Sequence, residues 1–255
     1  PQMHAVLMAH VARQGLARLE GGALRYVSSG AAPLDPAWKR KAEAFYGLPL
    51  QNGYGMTETT AVICATSNAI GDPDISVGPA LPGVEIALDA RHGGDDPDVG
   101  EILTRGPHVM DGYYRNSADT ALVLADDWMR TGDLGRMDGD RLHVVGRAKE
   151  LIIRGGFNVY PPEVESALND HPDVIQCAVV GRRVDGDEQV LAFVQCAEPD
   201  ALDVDALQAF AATRLAAYKR PTLIVAATNL PAAPTGKILK HKLISTFATC
   251  LADFA

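Results

Sequence analysis

Between residues 76 and 145, glycine, proline and aspartate cut the chain into short strand-like runs, Val84–Leu88, Glu101–Arg105 and Leu142–Val145. That punctuation predicts a small β-meander or barrel, with Gly93–Asp98 as a surface loop. The flanking regions have a different rhythm. Residues 1–75 read as α/β and the chain past Gly146 as a compact α+β module, which divides the sequence into 1–75, 76–147 and 148–255.

In the first region Leu24–Ser28 is a β-rich run ending at Ser29-Gly30-Ala31-Ala32-Pro33. Asp35 is placed to cap a helix whose first turn holds Pro36. Trp38, Ala42 and Phe45 then form a buried stripe, and Gly47 ends the helix. In the last region Pro162 opens a helix with Val164 and Leu168 on one face, closed by Pro172. Val174–Gly181 and Gln189–Cys196 follow as strands, apolar on both sides, so both faces of their sheet should be covered. Asp203 caps a helix carrying Leu207, Phe210, Ala211 and Leu215, with Lys219 and Arg220 at its cation-favouring end and Pro221 as the stop.

The net charge of −9 argues against nucleic acid or an anionic membrane as partner. The four cysteines, Cys64, Cys177, Cys196 and Cys250, lie far apart with no CxxC pair, a pattern of reduced thiols rather than a disulfide framework or zinc site. No apolar run reaches the length of a membrane span, and the expected location is the cytoplasm. The opening Pro1–His10 reads as a helix already in mid-fold, so a longer parent is expected.

Four segments carry residues suited to nucleotide chemistry. Adenylyl transfer to a carboxylate needs a positive charge at the α-phosphate, a metal bridging the phosphates and a nucleotide held in register. Lys237, in Pro234-Thr235-Gly236-Lys237-Ile238, is a compact point charge behind a glycine; the plainer reading is a surface lysine opening a basic helix with Lys240 and Lys242. In Asn52-Gly53-Tyr54-Gly55-Met56-Thr57-Glu58, Glu58 suits Mg2+, Thr57 a phosphate oxygen and Tyr54 a stacked base. Asp133 of Arg130-Thr131-Gly132-Asp133 could accept both ribose hydroxyls, although an aspartate there is also an ordinary turn former. Arg147, after Gly146, could add a ribose or phosphate contact.

In their order and spacing these segments resemble the adenylate-forming superfamily, which includes acyl-CoA synthetases, peptide-synthetase adenylation domains and beetle luciferase. SGAAP at 29–33, NGYGMTE at 52–58, RTGD at 130–133, GRAKELIIRGGFNVYPPEVE at 146–165 and PTGKI at 234–238 carry the match. The resemblance implies a partial α/β subdomain, a small β-barrel-like subdomain and a swinging C-terminal α+β domain. It places adenine between Gly30-Ala31-Ala32-Pro33 and Tyr54, within a nucleotide loop running from Asn52 through Gly53, Gly55 and Met56. Thr57 would touch the α-phosphate, Glu58 hold Mg2+, Asp133 and Arg147 take the ribose, and Lys237 act in adenylation. Lys149 would be the hinge, and Arg154, Gly155, Gly156 and Phe157 the wall of a CoA channel.

The implied function is an ATP-dependent acyl-CoA ligase using a small carboxylic acid, ATP, Mg2+ and CoA, with a homodimer left open as the assembly. The phosphate loop with which full members begin has no counterpart between Pro1 and Ala255, so this piece alone is expected to be inactive. Pro161-Pro162-Glu163-Val164-Glu165 resembles acyl-CoA synthetases more than peptide-synthetase domains. Members handling malonate tend to carry arginine where Gly53 stands, which favours a monocarboxylic acid. A truncated non-catalytic nucleotide- or CoA-binding module, a fatty acyl-AMP ligase and a luciferase-like enzyme are the alternatives.

Overall fold

A computed structural model describes residues 2–19, 22–30, 34–92, 96–233 and 237–252. The backbone divides into two compact units, Pro1–Val145 and Gly146–Ala255. The division falls where the sequence pattern resets.

The first unit opens with α1 (Gln2–Arg13), β1 (Val27–Ser29), α2 (Pro36–Tyr46), β2 (Leu50–Tyr54) and β3 (Cys64–Ala65). β1 runs parallel to β2, and β3 pairs antiparallel with the end of β2 at Gly53 and Tyr54. As the sequence implies, the Asp35 carboxylate accepts the Trp38 N–H at 2.6 Å, and Gly47, at φ 65°, ends the helix. Ala42 packs with Val27, Leu34 and Leu50, while Trp38 covers the rim of that cluster. The strand expected over Leu24–Ser28 is shorter and shifted, because only Val27–Ser29 faces a partner in β2.

α2 also buries two charges, each satisfied by backbone. Lys39 donates to the Asp72 and Asp74 carbonyls at 2.7 Å, and Glu43 accepts the N–H groups of Leu50 and Gly71. Buried ions persist only when hydrogen-bonded in this way, and here they pin the loop after β3 to the helix.

A curled antiparallel sheet completes the unit. It comprises β4 (Glu85–Asp89), β5 (Gly100–Arg105), then, after the short α3 (Ser117–Val123), β6 (Leu124–Ala125), β7 (Trp128–Asp138) and β8 (Arg141–Arg147), the last reaching past the unit boundary. The order is β4-β5-β7-β6, with β8 also on β7. Ile102 and Leu142 pack with Ile63 and Cys64, so the sheet shares a core with β3. Of the expected Gly93–Asp98 loop, residues 93–95 lie outside the described residues.

The second unit contains β9 (Ile152–Arg154), β10 (Phe157–Val159), α4 (Pro161–Asn169), β11 (Gln176–Val184), β12 (Asp187–Gln195), α5 (Val204–Ala212), β13 (Leu223–Ala227), α6 (Lys240–Thr246) and α7 (Ala248–Ala252). β11 and β12 form a hairpin, and β13 adds parallel to β12. Successive residues feed opposite faces. Val179, Val190, Ala192 and Val194 pack with Val164, Leu168, Leu207 and Ala211, whereas Ala178, Leu191 and Phe193 pack with Leu230, Leu243 and Leu251. Both faces are covered, as the unbroken apolar runs require.

Three expected boundaries change. α4 opens at Pro161, which serves equally well as a first-turn residue, and it ends at Asn169, before Pro172 is reached. α5 stops at Ala212, so Lys219 and Arg220 are not on it. Arg220 instead reaches back from the following loop to the carbonyls of Leu215 and Ala212, and Lys219 pairs with Glu163.

Candidate functional site

The Gly53–Glu58 segment leaves β2 and doubles back at once. Tyr54 and Gly55 lie against the returning chain: the Tyr54 carbonyl accepts the Ile63 N–H, and a Cβ on Gly55 would stand 2.1 Å from the Ala61 carbonyl oxygen. Only glycine fits there. The following 3-10 turn, Thr57–Thr59, is closed by Thr59, whose hydroxyl accepts the Met56 N–H and donates to the Met56 carbonyl. Thr57 is thereby left exposed and Glu58 half-buried. Asn52 sits beneath the loop: its amide donates to the Ser76 carbonyl at 2.9 Å and its oxygen accepts the Gly53 N–H. It braces the loop from inside. A Cβ on Gly30 would come within 3.3 Å of the Gly53 carbonyl oxygen, which brings the SGAAP turn beside this loop. Ala31, Ala32 and Pro33 lie outside the described residues.

Asp133 reaches the same place by a device that the sequence reading took for a turn. Arg130–Asp133 lies inside β7, where the register with β5 slips: Leu103 faces Arg130, but Glu101 faces Leu134. The extra residues bulge out at Gly132, whose φ is 72°. Bulges of this kind re-aim side chains beside functional sites. Glu101 holds the bulge by accepting the Gly132 N–H at 3.1 Å and pairing with Arg130, which also meets Asp89. The result is a 2.6 Å hydrogen bond from the Tyr54 hydroxyl to the Asp133 carboxylate, between residues 79 positions apart.

The sequence reading missed Tyr113. Its hydroxyl donates to the Glu58 carboxylate at 3.0 Å, and the Met110 N–H donates to the Glu58 carbonyl. Burial, followed by this hydrogen bond and the Glu58 charge, raises the Tyr113 pKa. No local signal marks this tyrosine, because its partner is 55 positions away. Among the described residues no cluster of three or more His, Cys, Asp or Glu could hold a metal. A lone carboxylate fits Mg2+ that arrives with most of its ligands supplied by phosphate and water.

The remaining candidates lie in the second unit. Arg147 ends β8 and Lys149 lies in a 3-10 turn, Ala148–Glu150, both of them exposed. Gly155 and Gly156, at φ 57° and 80°, form the two-residue turn of the β9–β10 hairpin, a geometry that suits paired glycines. Arg154 donates to the carbonyls of Arg220, at 2.7 Å, and Tyr218. Phe157, exposed, stacks on Tyr218 with ring centroids 4.8 Å apart. Arg154 thus fastens the segment that presents this aromatic pair.

Lys237 is exposed, at the foot of a small antiparallel loop in which Ala232 bridges Ile238 and the Ala233 N–H donates to the Lys237 carbonyl. Pro234, Thr235 and Gly236 lie outside the described residues. Lys240, its expected companion in a basic helix, is no surface lysine. The Lys240 ammonium turns inward between Glu150, at 2.7 Å, and Glu165, at 2.8 Å.

Residues 1–114 match the AMP-binding enzyme family, and residues 163–237 match the AMP-binding enzyme C-terminal domain. The chain is 38% identical over 222 residues to a long-chain-fatty-acid–CoA ligase of Bacillus subtilis, covering 85% of this chain and 40% of that protein. It is 37% identical over 252 residues to a feruloyl-CoA synthase of an Amycolatopsis species, covering 97% of this chain and 50% of the relative. Among solved structures, the o-succinylbenzoate coenzyme A synthetase of Bacillus subtilis, in complex with ATP and magnesium ion, aligns with a TM-score of 0.81 at 30% identity. That alignment covers 95% of this chain and 50% of the other. The chain therefore spans about half the length of the relatives it matches. No helix among the described residues is long and apolar enough to cross a membrane.

Proposed function

Since this chain belongs to the adenylate-forming, AMP-binding enzyme family, we propose that it is the C-terminal portion of an ATP-dependent acyl-CoA ligase. In the first half-reaction a carboxylate oxygen attacks the α-phosphorus of ATP and pyrophosphate leaves. In the second, the CoA thiol attacks the acyl carbonyl of the acyl-AMP and AMP leaves.

The Tyr54–Asp133 hydrogen bond carries the reading, because it joins two of the proposed nucleotide residues from distant segments. With its hydroxyl held, the Tyr54 ring is fixed for adenine to stack on. Asp133 would accept the ribose hydroxyls, and Arg147 would add a ribose contact. Gly30 and Gly53, having no side chains, leave backbone open to the base. Thr57, exposed at the start of its turn, would donate to an α-phosphate oxygen. Glu58 would hold Mg2+, which when bound neutralises phosphate charge; Tyr113 fixes the carboxylate for it.

Lys237 would follow the charge that builds at the α-phosphorus, and its exposed position leaves its four-carbon stem unencumbered. For thioester formation it must withdraw, with Lys149 as the pivot and the Arg154–Phe157 hairpin as the CoA-facing surface. Gly53 favours a monocarboxylic acid. The chain by itself would be inactive, because it lacks a phosphate-binding glycine- and Ser/Thr-rich loop.

The test is Lys237→Ala in the complete ligase. Acyl-AMP formation should fall by about a hundred- to a thousandfold, the range of a lost transition-state charge contact, while thioester formation from supplied acyl-AMP persists. Equal loss in both half-reactions would make Lys237 structural.

A further inference from the structure

The second unit uses Lys240 in a way that the reaction does not explain. It is the first residue of α6, where the helix dipole disfavours a cation, and its side chain is only 24% exposed. Burial alone would push its ammonium pKa down; the Glu165 and Glu150 carboxylates more than offset this and hold it above the ordinary lysine range. The two carboxylates come from different places. Glu150 closes the turn that contains Lys149, whereas Glu165 lies on α4, where it also accepts the Val179 N–H of β11 at 2.8 Å. One ammonium therefore joins three pieces of chain: the end of the turn that contains Lys149, the central helix and sheet, and the segment three residues past Lys237.

We propose that Lys240 is a positioning residue that locks Glu150, at the end of the Ala148–Glu150 turn, and the Lys237 loop into one rigid body. This inference rests on the ligase reading only for its kinetic consequence. Glu150 must then travel with the second unit, which confines any pivot to Lys149 or the residues before it. The Lys237 loop cannot lag behind, because α6 is fastened to the same point. Without the tether, the turn would flex over several residues and a rotation of the unit would reach Lys237 with slack.

Hydrogen exchange on this chain tests the mechanical claim without any assay of activity. In Lys240→Met, amides 148–151 should exchange about tenfold faster while the β11–β12 amides keep their protection, the mark of a local opening. Lys240→Arg, which retains both ion pairs, should restore the wild-type rates. Should Lys240→Met fail to fold, Glu150→Gln is the deciding variant, since it weakens only the contact to the turn. Wild-type exchange at 148–151 in a folded Lys240→Met, or in Glu150→Gln where that variant decides, would overturn the proposal, as would failure of arginine to restore it. In the complete ligase Lys240→Met should lower kcat about tenfold, with the KM for ATP changed less than about twofold; a raised KM with kcat intact would also overturn it. An exchange result as expected alongside an enzyme that makes no acyl-AMP would count against the ligase reading, not against the tether.

Discussion

Glu101 and Gly132 are joined by a hydrogen bond across the β5–β7 bulge, and through it a buried carboxylate decides where Asp133 points. The proposed ribose ligand thus depends on a neighbouring strand as much as on its own turn.

The contact from Tyr54 to Asp133 can be removed by one atom. Tyr54→Phe keeps the ring and deletes the donor, so the first unit should lose about 1 kcal/mol of stability. In the complete ligase the KM for ATP should rise several-fold with little change in kcat. Denaturant titration and steady-state kinetics measure the two effects; an unchanged KM would mean that Asp133 does not meet the nucleotide.

Glu58 and Tyr113 should act as a pair in the metal response. Glu58→Gln should raise the Mg2+ concentration needed for half-maximal acyl-AMP formation by about tenfold or more, as expected for loss of a charged ligand. Tyr113→Phe should move it in the same direction by less, since second contacts orient the ligand without replacing it. A Mg2+ titration of pyrophosphate release distinguishes these from an unchanged midpoint.

Two glycines in the site should differ in their tolerance. Gly55→Ala drives a methyl group into the Ala61 carbonyl and should cost about 3 kcal/mol, at the upper end of overpacking. Gly132→Ala meets nothing within 4 Å but must keep a φ of 72°, so its cost should be about 1 kcal/mol. Thermal unfolding of both variants checks the order.

The loop after β3 should give the first unit an acid-sensitive point. Burial pushes the Asp74 carboxyl up, but donation from Ser76 and Asn68 and the charge of Arg141 outweigh it and leave the pKa below the ordinary range. A carboxylate with a lowered folded pKa stabilises the protein above its unfolded value, about 3.9, and that contribution is lost as pH falls through this value towards the folded one. Asp74→Asn should therefore be destabilised at neutral pH and should show a shallower fall in Tm between about pH 5 and pH 3.

Much of this was legible where the physics is local. Asp35, Pro36 and Gly47 announce the ends of α2, and unbroken apolar runs announce a sheet covered on both faces. The order of the glycine-rich segments announced the family. What the sequence concealed was tertiary. Tyr113 has no neighbour in sequence that hints at Glu58, and the Thr-Gly-Asp segment reads as a turn until β5 is laid beside it. Lys240 looked solvated because nothing in a linear reading brings Glu150 and Glu165 to it. Lys219 and Arg220 looked like helix-end cations because the early stop of α5 leaves no mark in its composition.

The sheet made by β11, β12 and β13 is insulated above and below by side chains from its own half of the polypeptide. Among the described residues, the core on either side of that sheet is filled from positions 146–255, so its cohesion belongs to that stretch of chain.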